Sequence, residues 1–570
     1  MSIFILFCLL VLFILLYKNI ARPSVLFFIF LCVFLFINQI KIEDFLSNFA
    51  NPALISLILL LITASILSKT NLIQLIKQMD TTKNINIFKL AALISLISAF
   101  VSNCMVISLS IKALHNVKNA YRLLLPISFM IIIAGTCTLI GTTTNLIINS
   151  FVVGSGMKSL KMFDFIYVGI PLVIVGLLYI TIFTNKILKE KKVVDDHPIS
   201  NYFLEAKVLS QSPLIGHSVK DNNLRNLENL FLAEIVRDKI LISPVSPEEM
   251  IYENDTLVFT GDIDNIKDLQ TIKNLRIFNE KSSVLRNNLV WAVLSHNSSL
   301  IGKTIKKANF RSKFDAAVVA VKRGDEKLSG KIGLIKLQAG DYLILAVGQD
   351  FYKNDSKTIH FYLYSELELS NKLDLKKSIF VISAFVITIV LVALGLINLL
   401  KGLIVLLFIY VLTECATVEE LKRAFNFEIF ILVGAALGIS KVLLDSGAAT
   451  IVSDAIILAA SQFGVFGCFV GIYIMTVLFT QVVHNNAVAA LVFPVAYSTA
   501  TTLGVNPLPF IMAVAYGASA SFLTPYGYHV NLLVFATGNY KQSDFFKLGL
   551  PLTIVYSILV IVLVPIFFKF

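Results

Sequence analysis

Ala134–Asn149 reads AGTCTLIGTTTNLIIN. The stretch is long and apolar enough to lie within a lipid bilayer, yet Gly141, Thr142, Thr143, Thr144 and Asn145 stand at its centre. Glycine and β-branched hydroxyl residues weaken a helix there and place hydrogen-bonding groups at bilayer depth. Broken backbone is tolerated in a bilayer only where it lines a protein-enclosed cavity. Taken alone, the stretch fits equally well a buried helix whose threonines bond back to their own carbonyls.

Its partner changes that reading. Gly527-Tyr528-His529-Val530-Asn531 repeats the pattern Gly-x-x-x-Asn 386 positions further on. Upstream, Ser98-x-x-x-Ser102-Asn103-Cys104 matches Thr480-x-x-x-His484-Asn485-Asn486 at a spacing of 382. Downstream, Asp164-Phe165 and Gly169-Ile170-Pro171-Leu172 match Asp544-Phe545 and Gly549-Leu550-Pro551-Leu552 at 380, and Pro126 matches Pro509 at 383. One spacing, kept in order, implies two copies of one membrane unit. Paired Gly/Pro-interrupted segments in corresponding halves point to a transporter's site at the membrane midplane.

Composition agrees. The chain is 57% hydrophobic and only 15% charged, with a mean hydropathy of +0.82. Soluble globular proteins do not have this balance. The net charge of +12 is read as Lys and Arg in cytoplasmic loops, and no nucleic-acid partner is expected. The six cysteines are scattered, with no C-x-x-C pair, so neither a disulfide framework nor a zinc site is indicated. Residues 3–17 lack a basic leader region and a cleavage site and are read as the first crossing.

In the first membrane repeat, 1–192, crossings are expected at about 3–20, 23–40, 51–68, 124–150 and 165–185, with an interfacial segment at 69–87. Residues at about 88–111 are flanked by basic loops on both sides, so the positive-inside rule makes them a re-entrant hairpin. In the second membrane repeat, 376–570, crossings are expected at about 378–398, 402–413, 428–445, 508–535 and 550–568, with a hairpin at about 465–500. The expected fold is an all-α polytopic membrane protein, an inverted repeat of about ten crossings plus two re-entrant hairpins. Between the halves, 193–375 is more charged and has only strand-length apolar runs. It repeats internally: Leu214-Ile215-Gly216 matches Leu300-Ile301-Gly302, and Asp255-Thr256-Leu257 matches Asp341-Tyr342-Leu343, both 86 apart. It is read as an inserted pair of small cytoplasmic α+β domains, 193–285 and 286–375, each of strands and a short helix.

Hairpin tips and broken helices offer free N–H groups and helix N-termini, which favour anions by about 0.3–2 kcal/mol per helix end. Carbonyls and hydroxyls there suit small hard cations such as Na⁺. No Lys or Arg lies in either tip or either broken turn. A dianion would then be held by dipoles, hydroxyls, amides and co-bound Na⁺.

At this point the chain resembles a known family. Ser102-Asn103-Cys104 is similar to the Ser-Asn-Thr hairpin signature of the divalent anion/sodium symporters (solute carrier family 13). Asn485-Asn486 resembles the second copy of that signature, and Gly141 to Asn145 resembles the turn after the first hairpin. The insertion looks like a tandem of TrkA-C-type domains, found in a bacterial and algal branch linked to sulfate. The resemblance implies an inverted repeat, elevator-type movement, a homodimer and a multi-pass place in the inner (plasma) membrane.

Carried over by position, the resemblance implies Na⁺ ligands at Ser98, Ser102, Asn103 and Gly141, and at Thr480, Val483 (by its carbonyl), Asn485 and Gly527. It implies anion contacts at Ser102, Asn103, Cys104, Thr142, Thr143, His484, Asn485 and Asn486. Na⁺ is the coupling ion, and no other cofactor is implied. Cys104 departs from the family's threonine and His484 from its serine. Thr143-Thr144 and His529-Val530 replace the proline pair of dicarboxylate carriers. The added hydroxyls suit a tetrahedral oxyanion, so Na⁺-coupled sulfate symport is expected, with dicarboxylate symport as the alternative.

His484 and His529 read as a neutral hydrogen-bonded pair; the sharper alternative makes them pH-sensitive, with one protonated toward the anion. Cys104 and Cys137 read as small packing residues, and Asp164 and Asp544 as helix N-caps. Thr524-Pro525-Tyr526-Gly527-Tyr528 superficially resembles a potassium filter, which makes a potassium channel or uptake protein the rival from another class. Pro525 and the lack of such a sequence in the first half argue against it. No ordered nucleophile–base set, P-loop, HExxH or dinucleotide loop points to an enzyme. The cytoplasmic domains are left either to bind an unknown small ligand or to mediate dimer contacts, and a regulatory role is expected of them.

Overall fold

The computed structural model describes the chain except residues 19, 68, 71–83, 115–119, 189–202, 225–229, 239, 243–244, 262–271, 279–288, 296–297, 325, 329–331, 348–350, 352–359, 364–372 and 539. Two compact units emerge: Met1–Glu190 with Leu369–Phe570, and Lys191–Glu368.

The first unit is helical, and its helices come in the same order in both halves. Ser2–Tyr17, Pro23–Phe36, Ile42–Phe49 and Pro52–Leu67 are followed by Asn84–Ser98, Asn103–Leu114, Ala120–Gly135, Thr143–Gly154 and Ile166–Ile187. Their counterparts are Leu375–Ala393, Leu399–Leu412, Val418–Ala424, Phe427–Asp445, Gly464–Thr480, Asn485–Thr502, Leu508–Ser519, His529–Thr537 and Gln542–Phe567. Local chemistry sets many of these starts. Pro23 opens its helix at N1, where a missing N–H costs nothing. Asn51 Oδ1 accepts the Ala53 N–H at 2.9 Å. Thr417 and Glu420 form a reciprocal capping box.

Among the described residues, five helices are long and apolar enough to cross a bilayer, or six if the bent pair Ala448–Ala459 and Gly464–Thr480 is one span. The sequence expectation was about ten crossings. Part of the difference is length: helices such as Ser2–Tyr17 have 16 residues, about 24 Å at 1.5 Å per residue. Three helices were not anticipated: Ile42–Phe49, Val418–Ala424 and Ala448–Ala459. The expected interfacial segment 69–87 falls largely outside the described residues.

Asp164 and Asp544 are not N-caps. Each carboxylate accepts the backbone N–H three residues earlier, Lys161 at 2.8 Å and Lys541 at 2.9 Å. Asp544 lies inside the first turn of its helix and Asp164 in the turn before Ile166, so each locks the approach to the helix rather than its cap position.

The second unit contains two antiparallel five-stranded sheets. The strands are β1 Phe203–Val208, β2 Leu230–Arg237, β3 Ile240–Ile242, β4 Thr256–Gly261, β5 Leu275–Phe278, β6 Leu289–Leu294, β7 Ala316–Arg323, β8 Glu326–Leu328, β9 Tyr342–Val347 and β10 Phe361–Leu363. The orders are β3-β2-β4-β1-β5 and, read from the same side of the repeat, β8-β7-β9-β6-β10. The 86-residue spacing holds throughout. It relates the β-bulges at Leu232/Glu234 and Val318/Ala320, and the left-handed glycines Gly216 and Gly302, both at φ 78°. It also relates two clamps, Arg237 gripping Asp255 and Arg323 gripping Asp341 through two N–H···O bonds each. Burial pushes the Asp341 carboxyl up from its ordinary range, against the pull of Arg323. Each copy buries its own core, and a third cluster joins them: Val236 and Val258 pack with Trp291, Val319, Ala320, Tyr342, Ile344 and Ala346.

Among the described residues, the short helix expected in each copy is seen in the second, as Ile305–Ala308 and Phe310–Phe314; the counterpart of Phe310–Phe314 in the first copy falls largely outside the described residues. The corresponding 219–224 are turns. Asp221-Asn222-Asn223 stand there in place of Lys307-Ala308-Asn309, and Asp and Asn favour turns over helix.

Candidate substrate and ion site

The sequence breaks become two helix-breaking tips and two unwound turns. Tip 1 is 99–102 and tip 2 is 481–484; turn 1 is 136–142 and turn 2 is 520–528. Helices begin at Asn103, Thr143, Asn485 and His529, so four N-termini flank these breaks.

In each half the tip sits on the turn. Thr138 Oγ1 donates to the Ala99 carbonyl and accepts the Gly141 N–H at 3.0 Å. A Cβ on Gly141 would lie 2.8 Å from Ala99 O and 2.5 Å from Gly135 O. In the second half a Cβ on Gly527 would overlap Thr480 O and Ser521 Oγ. The two glycines are needed because tip backbone and turn backbone touch there. Gln481 adds a staple that has no amide counterpart at Ala99: its Nε2 donates to Ala520 O at 2.7 Å and its Oε1 accepts the Leu523 N–H at 3.1 Å. Asn145 and Asn531, the last residues of the repeated pattern, hold their own turns, donating to Thr138 O at 2.9 Å and Ser521 O at 2.6 Å.

The two halves then meet. Asn103 Nδ2 donates to Tyr528 OH at 3.0 Å, and Thr142 Oγ1 lies 2.9 Å from the same oxygen. Asn485 Nδ2 donates to Thr144 Oγ1 at 2.8 Å. Thr143 and Thr144 both donate to Asn486 Oδ1, at 3.2 and 3.3 Å. Asn103, Thr142, Thr144, Asn485, Asn486 and Tyr528 are all buried, whereas Ser102, Cys104, Thr143, His484 and His529 keep intermediate exposure. The rings of His484 and His529 stack with centroids 5.8 Å apart.

The anticipated residues therefore group as follows. Asn103, Thr142, Thr143, Asn485 and Asn486 are brought together across the halves. Ser98 supports Asn103 by donating to its Oδ1 at 2.7 Å and to Ile131 O at 2.9 Å. Ser102 and His484 stand at the N-caps of the two helices leaving the tips: their carbonyls accept Val106 N–H and Val488 N–H, both at 3.1 Å. Cys104 follows in the first turn. The Thr480 hydroxyl turns away to Ala518 O at 2.7 Å. Val483 is buried in tip 2, and the Gly527 carbonyl accepts the Asn485 N–H at 3.1 Å.

Residues the sequence reading does not place in the site are Tyr528, Gln481 and Thr138. Tyr528 carried a usable signal, since it stands 386 positions from Thr142 in the repeat. The same residue closes the filter-like run Thr524-Pro525-Tyr526-Gly527-Tyr528, which masks that signal.

The arrangement offers hydroxyls, amides and helix N-termini with no Lys or Arg in 98–104, 136–145, 481–486 or 520–531. Asn145 Oδ1 and Asn485 Oδ1 are buried acceptors with no hydrogen-bond partner. Unpaired buried oxygens are costly unless something fills them, and a small hard cation takes oxygen ligands of this kind.

Comparison with known proteins adds a frame. The profile of the citrate transporter family matches residues 8–515 and 469–570. A putative sulfur deprivation response regulator of Chlamydomonas reinhardtii is 26% identical over 561 residues, covering 93% of this chain and 95% of its own length. An uncharacterized transporter of Synechocystis is 25% identical over 543 residues, covering 90% and 88%. Sodium/sulfate cotransporter 1 of C. reinhardtii is 26% identical over 378 residues, 63% of this chain but only 42% of that protein.

Proposed function

The chain belongs to the citrate transporter family, and from that premise we propose that it is a multi-pass secondary transporter carrying a divalent anion, sulfate foremost, in symport with Na⁺. One observation carries the reading: Asn103, Thr142 and Thr144 of one half meet Asn485, Asn486 and Tyr528 of the other, without a fixed cationic side chain in those segments. Such a site attracts a dianion only after cations are present. Binding is therefore ordered, Na⁺ first.

In this reading Asn485 Oδ1 and Asn145 Oδ1 face Na⁺, and the half-exposed Ser102, Cys104, Thr143 and His484 line the anion's approach. Sulfate is favoured over dicarboxylates by the density of short hydroxyl side chains, and by the sodium/sulfate cotransporter relatives. The family's own description names citrate, a tricarboxylate, and so supports carboxylates, with dicarboxylate symport as the second reading. The halves work as an inverted repeat with re-entrant tips, one bundle moving elevator-fashion against the other in a homodimer. The 191–368 unit acts as a cytoplasmic regulatory module of TrkA-C type.

The deciding experiment is uptake of labelled sulfate into proteoliposomes with and without Na⁺, challenged by a panel of unlabelled anions. Saturable uptake that requires Na⁺ and yields to oxyanions is expected. Uptake indifferent to Na⁺, or single-channel K⁺ currents from the same preparation, would end the proposal. Deleting 195–372 tests the regulatory role, which is lost if kinetics and ligand responses do not change.

A further inference from the structure

Thr142 and Tyr528 hold equivalent places, each the N-cap of the helix that follows its unwound turn. They also touch each other, with Thr142 Oγ1 and Tyr528 OH 2.9 Å apart. A threonine hydroxyl sits close to its own backbone, whereas a phenol carries its oxygen to the far end of a rigid ring. The second half thus reaches across to the first and fills, with a ring only 1% exposed, the room that a symmetrical pair of threonines would leave. Asn103 Nδ2 fixes the same oxygen from tip 1 at 3.0 Å. The His529 ring lies 4.9 Å from the Tyr528 ring and 5.8 Å from the His484 ring, so three rings form one wall. The corresponding places in the first half hold Thr143, Thr142 and Ser102.

We propose that Tyr528 is the specificity-determining residue of this site: its buried ring takes the room between the halves that an elongated dianion would need, and its hydroxyl holds the Asn103 amide and the Thr142 hydroxyl in place for a compact tetrahedral one. The proposal rests on the transport reading above and narrows it. Two carboxylates joined by a carbon chain need length where the phenol stands. The phenol cannot yield without leaving the Asn103 amide and the Thr142 hydroxyl unpaired in a buried place. Rejection by occupied space and lost pairing discriminates more strongly than a preference built from attraction alone.

The test uses the full chain in proteoliposomes, as the parent, Tyr528→Thr and Tyr528→Phe, with labelled sulfate and labelled succinate as substrates. Sulfate- and succinate-induced shifts in thermal melting report binding separately from transport. Tyr528→Thr is expected to lose sulfate affinity by about tenfold and to gain succinate binding and uptake. Tyr528→Phe keeps the ring, so it is expected to weaken sulfate while still excluding succinate. A Tyr528→Thr protein that excludes succinate as the parent does, or a Tyr528→Phe protein that admits it, overturns the assignment. If Tyr528→Thr does not fold, Tyr528→Leu, shorter and apolar, carries the size test with the same two outcomes. A parent that takes up neither anion sinks the transport reading itself, whereas a sulfate-transporting parent with unaltered variant selectivity sinks only the role of Tyr528.

Discussion

The two unwound turns, 136–142 and 520–528, do the same mechanical work with different faces. Each is followed, in the first turn of the next helix, by an Asn whose amide ties back to it, and each holds a Gly pressed against a carbonyl in or next to the neighbouring tip. Around that shared frame the first half presents Ser102, Cys104, Thr142, Thr143 and Thr144, while the second presents His484, Tyr528 and His529 beside Asn485 and Asn486. Positions that fix backbone have one chemical solution, because no substituent fits there. Positions where the two halves meet have several, because the anion and cations proposed to sit there need not be symmetric. A duplicated scaffold can therefore keep its frame while its two linings diverge.

The sharpest way to break that comparison is at the frame. Gly527→Ala and Gly141→Ala should each destabilise by the upper part of about 1–3 kcal/mol, since backbone must move to admit the methyl. Gly527→Ala should be the worse, and thermal melting of the purified protein checks both. Tolerance of either would mean that the tip does not rest on the turn in that half.

Next come the residues that link the halves. Asn103→Ala and Asn485→Ala should each lower sulfate affinity roughly 10- to 100-fold, the worth of a hydrogen bond to a charged group. If one half proves dispensable in uptake assays, the site is not shared. Asn145→Ala and Asn531→Ala remove the self-ties, together with the Asn145 oxygen proposed to face Na⁺ and the Asn531 oxygen that accepts the Ser128 hydroxyl at 3.1 Å. Each should lower melting stability by about 1–3 kcal/mol, and by similar amounts, because each frees a buried turn carbonyl. A large difference between the two would show that the frames are not equivalent.

The smallest effect is expected at the two histidines. The reading of His484 and His529, whose rings stack with centroids 5.8 Å apart, as a neutral pair is tested there. His484→Ser and His529→Ala should keep the parent's uptake profile from about pH 5.5 to 8.5. A profile that flattens in either variant would mean that the second half supplies positive charge to the anion.

Much of this was legible in the sequence, for identifiable reasons. The breaks at Gly141 and Gly527 and the tips at Asn103 and Asn485 show as polar interruptions of apolar runs at one spacing. The insert's 86-residue period shows for the same reason: turn residues such as Gly216 and Gly302 recur where left-handed backbone requires them. The helices that escaped did so because their signals are short and local. Asp445-Ser446-Gly447, with Gly447 at φ 71°, is a three-residue turn signal that separates Phe427–Asp445 from Ala448–Ala459 inside an otherwise apolar stretch. Val418–Ala424 had a signal in Thr417-x-x-Glu420, a capping box too short in its helix to stand out.

By itself the sequence determined where the backbone must break and that it breaks twice in one pattern, because glycine, proline and hydroxyl residues act on their own few neighbours. Only the tertiary structure decided what meets at those breaks: the Tyr528 phenol on Asn103 and Thr142, Asn485 on Thr144, and Asn486 under Thr143 and Thr144. Those contacts join residues hundreds of positions apart. They follow from how the two halves pack, and a local pattern carries no record of which side chain reaches across.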